Sequence, residues 1–89
     1  MNIKQIHKHY NNIIDKTNKD IRGKLGNGWF VALHLHYGCP VVSVFNSEKD
    51  INIEADFCNE VKFRFNSNVK EEEQPFFKSV ILELFKDYL

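Results

Sequence analysis

The chain has 89 residues, equal numbers of acidic and basic side chains and 43% hydrophobic residues, which fits one domain, 1–89, and leaves no room for a second. Leu, Ile, Val and Phe supply about a third of it, well above the roughly one-fifth below which chains fail to collapse. A net charge of zero argues against the uniformly basic face that nucleic acid requires, and no apolar run is long enough to cross a bilayer.

The first residues, MNIKQIHKHY, carry Lys4 and Lys8 with no apolar run behind them and do not read as a signal peptide. Ile3, Ile6, Tyr10, Ile13, Ile14, Thr17, Ile21 and Leu25 recur at steps of three and four with Lys, Asn and Asp between them. That spacing predicts an amphipathic helix over 3–25. Asn2, with Gln5 three places on, suits its N-cap, and Gly26 suits a C-terminal cap that needs positive φ. Arg22 and Lys24 in the last turn oppose the negative end of the helix dipole.

Four short runs rich in β-branched and aromatic residues follow: 29–37, 41–46, 51–57 and 61–66. Ile51, Ile53, Ala55 and Phe57 alternate with polar residues in the third, and Val61, Phe63 and Phe65 do so in the fourth, so one sheet face is buried and one is wet. Short connections predict an antiparallel meander. Matching apolar faces across the last hairpin puts Asp56 opposite Lys62 and Glu54 opposite Arg64. With a Cys39-Pro40 loop in the first hairpin, Val42 and Val44 enter the core beside Leu33, Leu35 and Tyr37, and His34 and His36 lie on the open face.

Pro75 fits the first turn of a second helix over 74–88, with Glu71, Glu72 and Glu73 gathered at its positive end. Its apolar residues cover more than one stripe, so both the sheet and the first helix must cover it, with a dimer or partner contact taking any remainder. The predicted fold class is α+β: a four-stranded antiparallel meander with an N-terminal and a C-terminal helix on one face, in the order α-β-β-β-β-α. Trp29, Leu33, Leu35, Ile53, Phe63, Phe65, Ile14 and Phe85 are the expected core.

Candidate sites are sparse. His34-x-His36 puts two imidazoles on one strand face, but a metal site needs a third ligand, and Glu54 falls two strands away at about 9–10 Å. The row His36, Ser43, Glu54, Arg64 holds the residue types of a hydrolytic triad in the wrong order, the serine lying between imidazole and carboxylate. Cys39 and Cys58 lack CxxC spacing, and their turns are expected two strand spacings apart, about 9–10 Å, beyond the roughly 7 Å a disulfide allows. Two free thiols are therefore expected, as in a reducing compartment. His7 and His9 cannot share a metal, and Gly26-Asn27-Gly28 follows a helix and precedes a strand, the reverse of a phosphate cradle. No catalytic residue, metal site or cofactor is expected, nor nucleic-acid binding: the bases of the first helix lack a stacking motif, and Glu54 and Asp56 repel phosphate on the open face.

Charge is nonetheless polarised. Residues 1–25 hold six cations against two carboxylates, a balance of +4, and the rest of the chain carries −4. Ten Asn, ten Lys and eight Ile against two Arg suggest an AT-rich gene. Small size, a helix-sheet-helix plan, an acid cluster and no catalytic constellation together resemble the small immunity proteins of bacterial polymorphic-toxin and contact-dependent-inhibition systems. The resemblance is one of type, without a diagnostic motif. It implies a cytoplasmic, non-enzymatic protein that neutralises a cognate toxin domain, such as a basic nuclease, by stoichiometric binding. Acids that mimic phosphate suit that task and speed encounter by steering. Glu48, Asp50, Glu54, Asp56, Glu71, Glu72 and Glu73 are the candidate contacts, with Phe30, Phe45 and Leu82 as apolar anchors. The alternative is a small assembly or regulatory subunit, phage-encoded or chromosomal, that forms a homodimer through its apolar second helix.

Overall fold

A computed structural model describes residues 9–37, 39–58 and 60–88. The order is α1 (Tyr10–Leu25), β1 (Phe30–His36), β2 (Cys39–Asn46), β3 (Ile51–Asp56), β4 (Lys62–Phe65), a 3-10 turn (Glu71–Glu73), α2 (Gln74–Phe85) and a last 3-10 turn (Lys86–Tyr88). The strands form one antiparallel sheet in the order β1-β2-β3-β4. This is the α-β-β-β-β-α plan expected from the alternating and helical patterns. The first helix begins at Tyr10 with His9 at its N-cap rather than running unbroken from residue 3 as its periodicity predicts; Ile3, Ile6, His7 and the Asn2 cap lie outside the described residues.

Each element forms for a local reason. On α1 the residues Ile13, Thr17 and Ile21 lie one turn apart and are buried. Thr17 is tolerated there because its hydroxyl donates to the Ile13 carbonyl at 2.7 Å, leaving no donor unmet. Gly26 ends the helix at φ 99°, its N–H donating to the Arg22 carbonyl at 2.9 Å. The tight β2–β3 connection uses Asp50 at φ 51°, and the Asn46 side chain, 2% exposed, accepts the Lys49 N–H at 3.2 Å inside it. Pro75 sits in the first turn of α2, where its missing N–H is no loss.

The two helices and one sheet face enclose the core. Val31 and Leu33 of β1, Val42 and Val44 of β2, and Ile53 and Ala55 of β3 fall in register on that face. Ile13 and Ile21 from α1, and Phe77, Val80, Ile81, Leu84 and Phe85 from α2, close over them. Trp29 meets Phe77 and Phe57 meets Phe85, with ring centroids 5.5 and 5.9 Å apart. Phe63 and Phe65 on the edge strand β4, and Ile14 on α1, are half-buried against this cluster, while Lys62 and Arg64 are exposed.

Three further expectations are corrected. The first hairpin pairs Phe30 with Phe45, Leu33 with Val42 and His36 with Cys39, so Cys39 and Pro40 are paired residues of β2 rather than its loop. The slip keeps each residue on its expected face, because it moves the pairing by an even number of residues. It also carries the end of β1 past the helices: Leu35 is 51% exposed and Tyr37 95% exposed, so neither belongs to the core. Finally, Cys39 and Cys58 are joined in a disulfide with Cα atoms 4.9 Å apart. Cys39 belongs to β2 rather than to a turn, and β2 and β3 are neighbours. Continuing their register from the Val41–Asp56 pair brings Cys58 directly opposite Cys39, one strand spacing away.

Candidate functional site: the open face of the sheet

The face turned away from the helices is built by the residues alternating with the core set. Four rows cross it, set by the strand register. Nearest the β2–β3 turn lie Phe30, Phe45 and Asn52; then Ala32, Ser43, Glu54 and Arg64; then His34, Val41, Asp56 and Lys62; and last His36, Cys39 and the disulfide-linked Cys58. Successive rows are about 6.6 Å apart, twice the rise of a strand residue. Helix packing fixes the sheet from behind, so these side chains project from a rigid support.

The centre of this face is a shallow concavity of about 250 Å³ lined by His34, His36, Val41, Glu54, Asp56, Lys62 and Arg64. Glu54 and Asp56 are half-buried and their cross-strand neighbours Arg64 and Lys62 are exposed. The pairings Glu54–Arg64 and Asp56–Lys62 are those the charge pattern predicted. Register proximity does not become ion pairing, however. Among the described residues, salt-bridge distances occur only for Lys16–Asp87 at 3.4 Å and Lys86–Glu83 at 2.7 Å, both far from this face. One Asp56 oxygen accepts the Cys58 N–H at 2.9 Å, which fixes the carboxylate at the strand end. The charges of β3 and β4 thus stand side by side in register without forming ion pairs. Beside them Phe30, 43% exposed, stacks with Phe45 at 5.8 Å, an aromatic ledge at the edge of the polar field.

The seven acids named from sequence fall into two groups. Glu54 and Asp56 lie on the open face. Glu48 and Asp50 lie in the β2–β3 turn, and Glu71, Glu72 and Glu73 form the 3-10 turn before α2. The second group shares one end of the sheet, because the Asp50 carbonyl accepts side-chain N–H bonds from Asn66 and Asn68, each at 2.7 Å, and Asn68 also reaches the Asp50 carboxylate at 3.2 Å. Asp50 is therefore a structural tie, whereas the side chains of Glu48, Glu71 and Glu72 are exposed and form no hydrogen bond among the described residues. Glu73 turns back to accept the Lys70 N–H at 3.2 Å.

The chemistry considered from sequence takes a different geometry. His36 is not in the row of Ser43 and Glu54; it is two rows further along, opposite Cys39, so no serine–imidazole contact arises there. His34 shares its row with Asp56, but Val41 of β2 stands between them. Among the described residues no cluster of three or more His, Cys, Asp or Glu side chains converges as a metal site would require. The second helix, read as a surface for self-association, buries Phe77, Val80, Ile81, Leu84 and Phe85 within the subunit, leaving Phe76 and Leu82 exposed. No helix among the described residues is long and apolar enough to cross a membrane.

Sequence reasoning missed one positioning residue, Asn18. Its amide accepts the Val31 N–H at 2.8 Å and donates to the Val31 carbonyl at 3.0 Å, docking α1 on the outer edge of β1, and it donates to its own Ile14 carbonyl at 2.9 Å. A polar residue one position from Thr17 on the buried flank of an amphipathic helix was the available signal. No protein-family model, curated protein or solved structure matches the chain.

Proposed function

We propose that the chain is a non-enzymatic protein-binding module, an immunity protein that neutralises a cognate bacterial toxin domain by stoichiometric contact, with the open sheet face and the adjoining acidic turns as the binding surface. The observation that carries this reading is the state of charge on that face. Glu54 and Asp56 lie beside Arg64 and Lys62 in register yet form no ion pair with them, and the Phe30–Phe45 stack adjoins. Unpaired charge flanked by an exposed Phe30 stacked on a half-buried Phe45 is what a steered encounter followed by a buried anchor needs. A basic nuclease domain is the partner chemistry that the acids of β3, with Glu48, Glu71 and Glu72 at the sheet end, would select.

A cytoplasmic site of action belongs to the same reading. In a reducing compartment Cys39 and Cys58 would be neighbouring thiols, held by the β2–β3 ladder that runs from Val41–Asp56 to Asn46–Ile51; in an oxidising one they are joined.

The test is association kinetics with the toxin domain that this reading expects to be encoded beside the gene. Reversing the exposed Glu48, Glu71 and Glu72 to Lys should slow association and flatten its salt dependence, while Phe30→Ala should accelerate dissociation. Unchanged rates for both variants at low salt would remove this face and its acids from the contact.

A further inference from the structure

The two edges of the sheet are defended unequally. The outer strand β4 is four residues long and carries Lys62 and Arg64, the short, charged form that discourages pairing with another chain. The other edge, β1, runs seven residues, Phe-Val-Ala-Leu-His-Leu-His, with no Lys, Arg, Asp, Glu or Pro. Only its first half is covered. Asn18 satisfies both the N–H and the C=O of Val31, which shows that these groups point away from β2. By the alternation of an antiparallel strand, the N–H and C=O of Leu33 and Leu35 point outward as well. Pro40 opposite Leu35 agrees, since a residue without an N–H cannot form a hydrogen-bonded pair there. Exposure rises along the same stretch, from 5% at Leu33 through 51% at Leu35 to 95% at Tyr37.

We propose that the distal half of β1 pairs antiparallel with β1 of a second copy of this chain, joining two four-stranded sheets into one. The outward backbone groups call for an extended strand. A second copy fits because the strand carries no Lys, Arg, Asp or Glu to repel its own copy, and an antiparallel edge placed on a two-fold axis is its own complement. The register follows from the groups that are free. Leu33 of each copy forms a hydrogen-bonded pair with Leu35 of the other, and the axis passes beside His34. The next pair, Tyr37 with Val31, is reduced to side-chain contact because Asn18 occupies the Val31 backbone. Tyr37 then lies against the α1 edge of the second copy, which accounts for an aromatic ring standing 95% exposed at a hairpin tip.

Leu35→Lys tests this without disturbing the monomer, because Leu35 is outside the core and a lysine on an edge opposes pairing. His34→Lys sets two ammonium groups across the axis and serves as the second variant. The wild-type chain should sediment as a concentration-dependent dimer, with the Leu33 and Leu35 amides exchanging more slowly at high protein concentration than at low. Both variants should be monomers with unchanged circular dichroism. A wild-type chain that stays monomeric at the highest soluble concentration overturns the proposal. So does a dimer that survives both substitutions, or one in which those two amides exchange alike at all concentrations.

Discussion

Reduction of the Cys39–Cys58 bond should destabilise the domain by about 3 kcal/mol, the chain-entropy value for a closed loop of this length. The cysteines are 19 residues apart, and the loop they close contains the whole β2–β3 hairpin. The folded state changes little on reduction, because Val41–Asp56 and the pairs beyond it hold β2 against β3 and Phe57 donates to the Pro40 carbonyl at 3.1 Å. The loss therefore lies in the unfolded chain, which gains freedom when the link is cut. For a domain of this size about 3 kcal/mol amounts to roughly 12–24 °C in midpoint temperature, since each kcal/mol moves it by about 4–8 °C. The assay is urea unfolding of the oxidised chain with and without a thiol reductant, alongside Cys39→Ser/Cys58→Ser. The reduced wild type and the double variant should share one midpoint, well below that of the oxidised protein. If reductant converts the bond to two free thiols, as titration under denaturing conditions would show, and yet leaves the midpoint of the initially oxidised chain where it was, the loop-closure argument is wrong.

Other substitutions probe single contacts. Asn18→Ala leaves the Val31 N–H and carbonyl without their helix partner and should cost about 1–3 kcal/mol in urea unfolding, far more than an ordinary exposed helix position. Gly28→Ala should destabilise by about 1 kcal/mol or more, because Gly28 holds φ 92° and an added Cβ would stand 3.3 Å from the Asn46 amide nitrogen; Gly23→Ala, within α1 and with nothing near its added Cβ, should stabilise by roughly 0.5–1 kcal/mol. The Lys86 ammonium, through its hydrogen bond and its charge, holds the Glu83 carboxyl below the ordinary glutamate value. The contribution of this pair is thus present above the ordinary glutamate range and fades as pH falls through the lowered value. In Lys86→Gln an NMR titration should find the Glu83 midpoint raised from its wild-type position.

The fold was legible because its strongest signals are redundant. Alternation in β3 and β4 and the complementary charges Glu54–Arg64 and Asp56–Lys62 select the same register, and two patterns that agree leave little freedom. The first hairpin lacks that second pattern. Its β1 strand has no charges to match, and moving each partner by four residues leaves every apolar side chain on its proper face, so periodicity alone cannot choose between a Cys39-Pro40 loop and a turn between His36 and Cys39. Pro40 invited the loop reading, yet in β2 it sits opposite Leu35, where no N–H is needed from it. From that slip came the misplacement of Leu35, of His36 relative to Ser43, and of Cys39 in a turn. The candidate contact surface was only half legible: sequence named all seven acids, but their division between an open face and one sheet end depends on Asn66 and Asn68 reaching Asp50, contacts between loops that no periodic pattern encodes.

The most direct test of protein binding through the open face is an NMR titration of the isotope-labelled chain with the unlabelled product of the adjacent gene, which the proposed function expects to be a toxin domain. The account predicts saturation at one partner per chain, with amide shifts concentrated at Phe30, Ser43, Phe45, Glu54, Asp56 and Arg64, at Glu48 in the β2–β3 turn and at Glu71 and Glu72 before α2, while the helix residues Ile21 and Ile81 stay still. Shifts concentrated on the outer surfaces of α1 and α2, or no saturable binding at all, would contradict it.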